Sequence, residues 1–352
     1  MLSFVIPTYN FGKFIGETVK SIAEGVVSIG QKDYEIIILD GGSSDETDDV
    51  VANLASKYKN VIYKKNLTRG GIDRDLNEVA GMASGNYIWF FSADDILVPG
   101  WDLVIAPLIV NKNDIYLVPA ELCDLQMKAL RKNPIFNIAE DNKFLSFSFD
   151  FDRAAIRSYL EKANTLEALF SFMSSIIIKK AVWDNLKDRP DYYGSCWAHC
   201  AKIIPTLFGR VTIGYANQYL IKKRGGNDSF MENGFVSRIG IAVDGWGRIT
   251  HDFFNDSEHQ SLIFKLLRKD MPILLFMYAK ITAKSDDEIK RLSKLACSLY
   301  CKWDASRRSK IEYYLYRAFP ASKLFNKAIK NHLPLLIRLR HKIKNILEKY
   351  KI

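Results

Sequence analysis

The sequence has few of the features that mark secreted, disulfide-rich or membrane-spanning proteins. Its five cysteines are an odd number, and the chain opens on a short apolar run rather than on a basic and then apolar leader. Both observations favour free thiols in a reducing compartment. No uncharged apolar stretch approaches the roughly 18 residues that a spanning helix needs, and the longest apolar run, Met271–Ala279, is too short. The sequence therefore predicts a protein that is soluble or peripheral to a membrane.

The spacing of the cysteines gives little support to a zinc site. Cys196 and Cys200 are four residues apart, as are Cys297 and Cys301. Structural zinc sites more often use two-residue spacings in tight turns, whereas cysteines at helical spacing are usually small core residues. We therefore expect packing rather than metal binding from these thiols.

Positive charge is concentrated at the C-terminus. Residues 323–352 hold nine Lys or Arg against one Glu, which is +8 of the net charge of +10, so the rest of the chain is nearly neutral at +2. A neutral body with a basic tail differs from a nucleic-acid-binding protein, and we expect no nucleic acid partner. As a helix, Leu333–Leu347 would place its apolar residues on one face, either packed on the body or lying on anionic lipid. Because each basic residue near such a surface contributes about 1 kcal/mol, we favour the membrane.

The first hundred residues alternate between strand and helix patterns. The predicted strands are short apolar runs: Leu2–Pro7, Tyr34–Leu39, Val61–Lys64 and Tyr87–Phe91. Between them, helical spacing predicts Phe14–Ala23, Asp48–Tyr58 and Asp73–Ala83. This order is typical of an α/β fold with a parallel sheet and helices on both faces. In such sheets, ligands bind beyond the carboxyl ends of the strands.

The rest of the chain predicts a larger domain and a helical appendage. Further strands are expected at Asp114–Pro119, Ser174–Ile178 and Val211–Lys222, with a helix at Tyr159–Phe172. We predict a domain over 1–228, a mobile glycine-rich connection over 229–256, and a helical, basic region over 257–352.

Acidic residues follow two of the predicted strands: Asp40 and Asp45 come after Tyr34–Leu39, and the pair Asp94 and Asp95 comes after Tyr87–Phe91. Asp is also common as a helix-start cap and in turns, so each position has a purely structural interpretation. A carboxylate beside a phosphate ligand is useful, however, when it holds a divalent cation. Mg²⁺ or Mn²⁺ suits one or two carboxylates together with phosphate oxygens, and it neutralises a leaving diphosphate.

Four motifs, in order within 97 residues, resemble those of the family 2 glycosyltransferases. They are FVIPTYN at 4–10, IIILDGGSSDET at 36–47, the run GGIDRDLN…ASGNYI between 70 and 88, and WFFSADDIL at 89–97. Looser similarity through 172–177, 194–199 and 223–230 points to the branch that is similar to abequosyltransferases. The resemblance implies the GT-A fold, a Rossmann-like and mostly parallel sheet with flanking helices, and a sugar donor carried by a nucleotide diphosphate.

Carried over residue by residue, the resemblance implies a donor site and a metal. Pro7, Thr8 and Tyr9 would line the base, Asp40 would contact base or ribose, and Arg74 would reach base or diphosphate, unless it is a solvated surface charge. Asp94 would ligate Mn²⁺ or Mg²⁺, supported by Asp95. Two positions depart from the family pattern: Gly41 replaces a second carboxylate, and Ser92, next to Ala93 in the donor set, replaces the first acid of the metal motif.

The acceptor base is the least defined part of the predicted site. The family often places an acidic pair at a helix start below the acceptor, and the corresponding stretch, 191–199, has none. His199, with an ordinary pKa near 6.5, is a candidate base or metal ligand unless it is a packed histidine. Asp191 is the second candidate.

The prediction is therefore a metal-dependent glycosyltransferase that moves a hexose or deoxyhexose to a saccharide hydroxyl. We expect a lipid-linked O-antigen or polysaccharide acceptor, on the cytoplasmic face of the cell membrane. Two alternatives remain: a sugar-phosphate nucleotidyltransferase, although the first turn lacks that class's glycine-rich phosphate loop, and a non-catalytic nucleotide-sugar-binding scaffold.

Overall fold

The structure of the chain is a computed structural model that describes residues 1–30, 33–110, 112–139, 141–303 and 306–319. The chain divides into two units, Met1–Arg224 and Gly225–Ile352. The first boundary therefore falls four residues before the end of the predicted domain at 228.

The beginning of the first unit follows the predicted alternation, with every boundary within two residues. The elements are β1 (Leu2–Thr8), α1 (Gly12–Glu24), β2 (Tyr34–Asp40), α2 (Thr47–Lys57), β3 (Val61–Lys65), α3 (Ile72–Gly81) and β4 (Tyr87–Phe90). Strands β1 and β2 are buried along their whole length, which explains why their sequences are continuous apolar runs rather than alternating ones.

The remainder of the first unit is less regular. Its strands are β5 (Ile96–Leu97), β6 (Ile115–Leu117), β7 (Ala120–Cys123), β8 (Ala129–Asn133), β9 (Phe144–Asp150), β10 (Ile176–Lys179), β11 (Arg210–Ala216) and β12 (Ile221–Lys223). Its helices are α4 (Trp101–Val110), α5 (Arg153–Lys162), α6 (Lys180–Asn185) and α7 (Ala198–Ile203). The predicted helix at 159–172 is wrong in extent, because α5 ends at Lys162 and a short 3-10 turn, Leu166–Leu169, follows.

Among the described residues, eight strands form a mixed sheet in the order β3-β2-β1-β4-β10-β6-β11-β9, and four form a second sheet, β5-β12-β7-β8. The four N-terminal strands are parallel, and β10 runs antiparallel to both of its neighbours. The predicted strand at 211–222 is in fact two strands, since β11 and β12 belong to different sheets.

Aromatic side chains fix the neighbouring strands β1 and β4 against each other. The ring of Phe4 on β1 stacks on that of Trp89 on β4 at 5.0 Å, and Trp101 meets Phe4 edge-on at 5.1 Å. All three side chains are fully buried. Such pairs add about 0.5–1.5 kcal/mol each to the burial of the rings. The carboxyl ends of β1 and β4 are therefore held at one fixed separation.

The second unit is helical in the part that the structure describes. A 3-10 turn at Ser229–Asn233 leads into α8 (Phe235–Phe253), α9 (Ser257–Asp270), α10 (Ile273–Thr282), α11 (Asp286–Cys297), a π-helical turn at Ser298–Trp303, and α12 (Arg307–Ala318). The predicted mobile connection at 229–256 is therefore wrong: most of it is the 19-residue helix α8.

The glycines of α8 are packing residues rather than signs of mobility. A Cβ on Gly247 would lie 2.2 Å from the ring of Trp303, which itself stacks on Phe264 at 4.9 Å. A Cβ on Gly240 would lie 2.9 Å from the guanidinium of Arg291. The absence of a side chain at these positions lets neighbouring segments approach the helix closely, at the cost in helix propensity that glycine carries.

None of the helices in the described ranges is both long and apolar enough to cross a membrane. The predicted basic helix, 333–347, and the basic run, 323–352, lie outside the described residues.

Replacing Gly247 with Ala tests the packing of α8. The added methyl group collides with the rigid, stacked indole of Trp303, so we expect a loss of about 1–3 kcal/mol in the free energy of unfolding. The matched control is Gly240→Ala in the same helix, where the neighbour is the flexible end of Arg291 and where alanine gains up to about 1 kcal/mol in helix propensity. Urea unfolding followed by circular dichroism measures both. Equal midpoints for the two variants would contradict the close approach at Gly247.

Candidate functional site

The register of β1 and β2 brings two of the predicted site segments together. Thr8, the last residue of β1, lies directly opposite Asp40, the last residue of β2, and the Gly41 N–H donates to the Thr8 carbonyl at 2.8 Å. Pro7 is buried within β1, and Tyr9 begins the turn after it. These residues therefore share one edge of the sheet, as predicted for a donor site.

The Asp40 carboxylate is fully buried and organises its own turn. Its Oδ1 accepts hydrogen bonds from the N–H groups of Gly42 at 3.0 Å and Ser43 at 2.7 Å, while Oδ2 accepts from the Tyr63 hydroxyl at 2.9 Å. Burial and the neighbouring Asp40 charge raise the pKa of Tyr63. Both carboxylate oxygens are thus engaged with the protein, which is the turn role that the sequence left open for Asp40.

The turns after β1 and β2 are bonded to each other. The Asn10 N–H donates to Ser43 Oγ at 2.8 Å, and the Ser44 N–H donates to the Asn10 side-chain oxygen at 2.9 Å. Asp45 accepts from the N–H of Gly12 at 3.1 Å, at the start of α1. These bonds connect the two turns into one rigid rim.

Two arginines contact aromatic rings at this edge. The Arg69 guanidinium lies 4.1 Å from the centre of the Tyr9 ring, and that of Arg74 lies 5.6 Å from the centre of the Tyr193 ring. Sequence analysis named Tyr9 and Arg74 but gave no role to Arg69. The side chain of Arg74 is exposed at the start of α3, so its guanidinium is accessible to a ligand.

The loop after β4 contains the predicted metal motif. The Ser92 hydroxyl donates to Asp94 Oδ1, so the residue that replaces the first acid of the motif is bonded to the second. Asp95 is almost fully buried, and its Oδ2 accepts from the Ser174 hydroxyl at 2.7 Å. Ser174 in turn accepts from the Ser92 N–H at 3.0 Å. Ala93 is buried in the main core cluster.

Arg224, the last residue of the first unit, holds the Asp94–Asp95 loop in place through hydrogen bonds. Its backbone N–H donates to Asp95 Oδ1 at 3.0 Å, and its Nε donates to the Asp94 carbonyl at 2.9 Å. The other guanidinium nitrogens donate to the Leu125 carbonyl at 2.8 Å and to Glu17 at 2.5 Å. Only 4% of the Arg224 side chain is exposed. Sequence analysis included this arginine in a loosely similar segment and gave it no role.

His199 lies at the start of α7, beside a second buried carboxylate. Asp73 accepts hydrogen bonds from the N–H groups of Gly194 at 2.8 Å, Cys196 at 2.9 Å and Ala198 at 3.1 Å. This holds the 194–198 loop against α3. His199 Nε2 is 3.1 Å from the Phe170 carbonyl. Because a carbonyl only accepts, Nε2 carries the hydrogen and Nδ1 is the basic nitrogen of the neutral ring.

The surroundings of His199 keep its ring neutral. Burial lowers the pKa of His199 below the usual 6.5, and the charge of Asp73 opposes that effect only in part. The side chain lines a small cavity together with Asp73, Leu76, Asn77, Trp183, Asp188, Tyr193, Ala198 and Lys202. Lys202 donates to Asn77 at 2.8 Å, and burial lowers the pKa of its ammonium group. A neutral imidazole is the state that a general base requires.

Asp191, the second candidate base, is in a different environment. Its side chain is exposed on the 3-10 turn Pro190–Tyr192, where the Arg189 guanidinium binds its two carboxylate oxygens at 2.9 and 2.8 Å. Both carboxylate oxygens of Asp191 therefore already accept hydrogen bonds from the arginine. The geometry therefore favours His199 over Asp191.

The described residues contain no cluster of three or more His, Cys, Asp or Glu side chains that could hold a metal ion. The five cysteines are free thiols. The described residues therefore do not form a complete set of protein ligands for a metal ion. A cation shared with a diphosphate needs only one or two carboxylates, and Asp94 fits that requirement.

The parallel strands, the polar turns at their carboxyl ends and the antiparallel β10 define a GT-A glycosyltransferase. S. aureus TarS, in a crystal structure of residues 1–349, has the same fold: the TM-score is 0.58 at 13% identity, over 90% of this chain and 87% of that one. A mannosyltransferase from Pyrobaculum calidifontis, solved with GDP-Man and Mn²⁺, is similar with a TM-score of 0.51 at 14% identity, over 90% of this chain and 87% of that one.

Residues 3–164 match the model of glycosyl transferase family 2. The chain is 28% identical to the abequosyltransferase RfbV of Salmonella typhimurium over 305 residues, which are 86% of this chain and 90% of the relative. It is 27% identical to a GalNAc(5)-diNAcBac-PP-undecaprenol beta-1,3-glucosyltransferase of Campylobacter jejuni over 195 residues, 55% of this chain and 56% of that protein. The family model and the relatives confirm the resemblance to the family 2 glycosyltransferases, and to their abequosyltransferase-like branch, that the motifs indicate.

Replacing Arg224 with Lys tests how firmly the Asp94–Asp95 loop is held. Lysine keeps the charge but cannot donate to Asp94, Leu125 and Glu17 at once, so we expect a loss of about 2–4 kcal/mol in the free energy of unfolding. Arg210→Lys is the matched control, because its pair with Asp150 is exposed and contributes about 1 kcal/mol or less. Thermal unfolding measures both, and equal melting temperatures would show that the guanidinium fork does not hold the loop.

Proposed function

We propose that this glycosyltransferase moves a hexose or deoxyhexose from a nucleotide-diphosphate donor to a saccharide hydroxyl on a lipid-linked polysaccharide intermediate. The observation that carries the proposal is the convergence of Thr8, Asp40 and the Asp94 loop at one edge of the sheet. The relatives support it, since one is named for an undecaprenol-linked substrate and the structural neighbours were solved with UDP-GlcNAc or GDP-Man.

The rim formed by the first two turns would receive the nucleoside. Thr8 and Tyr9 at the end of β1 would face the base, with Arg69 stacked on the Tyr9 ring as an additional cationic surface. The exposed Arg74 would pair with the diphosphate. Asp40 would act through its turn, because both of its oxygens already accept hydrogen bonds from Gly42, Ser43 and Tyr63.

Asp94 would hold the divalent cation, Mn²⁺ or Mg²⁺. Ser92 would orient the Asp94 carboxylate through its hydroxyl, while Asp95 and Arg224 keep the loop in place. The bound cation would supply neutralisation of the charge that develops on the leaving diphosphate. The departure at Ser92 therefore removes one acid without removing the orientation of the other.

His199 Nδ1 would accept the proton of the acceptor hydroxyl. Asp73 positions the loop that carries the histidine, and the pairing of Nε2 with the Phe170 carbonyl sets the tautomer. As the hydroxyl oxygen bonds to the anomeric carbon, its proton would pass to the imidazole and the glycosyl–phosphate bond would break towards the diphosphate.

Membrane association would bring the enzyme to a lipid-linked acceptor. Helix α12 exposes three apolar side chains, Ile311, Tyr314 and Leu315, on a segment that also carries Arg307, Arg308 and Lys310. This combination suits the interface of an anionic membrane. The basic run at 323–352 would add to the attraction, on the cytoplasmic face where nucleotide sugars are available.

Two alternative functions have less support. Membership of a glycosyltransferase family argues against a sugar-phosphate nucleotidyltransferase. A non-catalytic scaffold is favoured only by the departures at Gly41 and Ser92. The donor-turnover experiment described next distinguishes such a scaffold from an active enzyme.

Replacing Asp94 with Asn should abolish donor turnover. The amide is a poor ligand for Mn²⁺ or Mg²⁺, so we expect a loss of at least about 100-fold, equivalent to about 2.7 kcal/mol, with the fold intact. Hydrolysis of UDP-, GDP-, CDP- and dTDP-sugars with Mn²⁺ or Mg²⁺ measures it and identifies the donor. Asp150→Asn, at an exposed ion pair of the same unit, is the control.

An Asp94→Asn enzyme with undiminished turnover would refute the assigned metal role. If the parent protein binds a nucleoside diphosphate in calorimetry but turns over none of these donors with any saccharide acceptor, the scaffold is favoured instead.

Replacing His199 with Gln should slow transfer by about 10²–10⁴-fold while donor binding is unchanged. In the parent, the rate should be constant above neutral pH and fall as pH drops through the imidazole pKa, which burial places below 6.5. The His199→Gln variant should lose that acidic limb. A variant that keeps the parent's rate and pH profile would exclude this histidine as the base.

A further inference from the structure

Asp75, on the first turn of α3, is a buried carboxylate that no part of the mechanism above uses. Its side chain is 3% exposed, and Oδ1 is buried without a hydrogen-bond partner. A buried polar atom left unpaired destabilises the folded protein, and more so when the group is charged. Such groups are rare in folded proteins unless a ligand completes them.

The carboxylate lies where the family signature places a different side chain. A Cβ on Gly41 would be 2.5 Å from Asp75 Oδ2, and a Cβ on Gly70 would be 2.6 Å from Oδ1. No side chain fits at either position while Asp75 is present. The Asp75 carboxylate therefore occupies the volume into which a second acid at position 41 would extend.

This volume adjoins the rim of the donor site. The Gly41 N–H is bonded to the Thr8 carbonyl, and the hydroxyl of Thr8 is a second buried group without a partner. Asp40 is the last residue of β2 at this edge. Arg69, stacked on Tyr9, is close enough for its charge to act on the pKa of Asp75. Two unpaired polar groups, the Thr8 hydroxyl at the carboxyl end of β1 and the Asp75 carboxylate on α3, thus adjoin the edge of the sheet where a ligand of this fold class binds.

On balance, the surroundings of Asp75 disfavour its ionised form. Burial raises the pKa of Asp75 to about 6; the charges of Glu78 and Asp40 raise it as well, and only Arg69 lowers it. At neutral pH the group is still mostly ionised and can accept hydrogen bonds. The ionised carboxylate therefore destabilises the ligand-free protein, and a hydrogen bond from a ligand N–H group would offset this destabilisation.

We propose that Asp75 recognises the nucleobase of the donor, by accepting a hydrogen bond from an N–H group on the base's Watson–Crick edge. The acid that Gly41 lacks is thus supplied from α3 instead of β2. This inference rests on the proposed function, because it assumes that a nucleoside diphosphate binds at the rim.

Calorimetric binding of UDP, dTDP, GDP and CDP to the full chain, with Mg²⁺, tests the proposal. Asp75→Ala should weaken binding of the preferred nucleotide by about 10–100-fold and reduce the differences among the four, since it removes a hydrogen bond to a charged group. Gly41→Asp should weaken binding too, because its side chain collides with Asp75.

The double variant Gly41→Asp with Asp75→Ala is the decisive arm. It returns one carboxylate to the same volume from the strand side, and we expect it to regain most of the affinity lost by Asp75→Ala. A residue with a merely structural role would not be rescued from a different element of the fold.

Thermal unfolding of Asp75→Asn supplies a readout without ligand. The raised pKa means that ionised Asp75 destabilises the folded protein, fully above pH 6 and progressively less as pH falls towards the unfolded value near 3.9. Asp75→Asn should therefore melt at a higher temperature than the parent at pH 8, with a smaller difference at pH 5. A lower melting temperature at pH 8 would reveal a stabilising role and overturn the proposal.

The outcomes separate the two levels of inference. If the parent binds none of the four nucleotides, the proposed function fails and Asp75 recognition fails with it. If the parent binds one of them and Asp75→Ala keeps the same affinity and the same order of preference, only the role of Asp75 is refuted.

Discussion

Buried carboxylates that accept hydrogen bonds from backbone N–H groups hold the functional edge of this enzyme together. Asp40 fixes the turn after β2, Asp73 fixes the loop before α7, and Asp95 fixes the link to Arg224. Turns at the ends of parallel strands have N–H groups that the sheet cannot satisfy, and burying them unpaired is costly. An ionised carboxylate accepts several such bonds at once and is strengthened by each. The polar rim can therefore be rigid without regular secondary structure.

This use of acids changes how an acidic motif should be interpreted. Acidic residues cluster after the strands, but Asp40, Asp45 and Asp95 accept hydrogen bonds from backbone N–H groups of the described residues. Asp94 accepts from the Ser92 hydroxyl, and Asp75 Oδ1 is buried without a hydrogen-bond partner. Ser92 is the opposite case, because a hydroxyl stands where the motif usually has an acid. A hydroxyl in place of an acid still bonds to Asp94 and leaves one negative charge fewer in the loop.

The sequence alone predicted the first four strands and three helices closely, because β1 and β2 are continuous apolar runs and the helices are amphipathic. It also identified the family, from motifs that lie within one continuous stretch. The contacts of Arg224 and Asp75 could not be predicted, since they join residues that are far apart in the sequence or depend on a missing Cβ. Helix α8 was missed because its glycines were interpreted as mobility, whereas Trp303 and Arg291 pack where their side chains would be. Departure from a motif, as at Gly41, was the one signal that could have led to Asp75.

The contact between Gly41 and Asp75 also constrains how this lineage can change. With 2.5 Å between the carboxylate and a Cβ at position 41, an acid cannot be gained on the strand while the acid on the helix remains, and losing the helix acid first leaves none. With the proposed role of Asp75, either single step passes through an intermediate that binds the nucleotide less well. The two positions are therefore expected to evolve as a linked pair, with exchange between them confined to nearly simultaneous substitution, and each arrangement would persist over long periods of divergence.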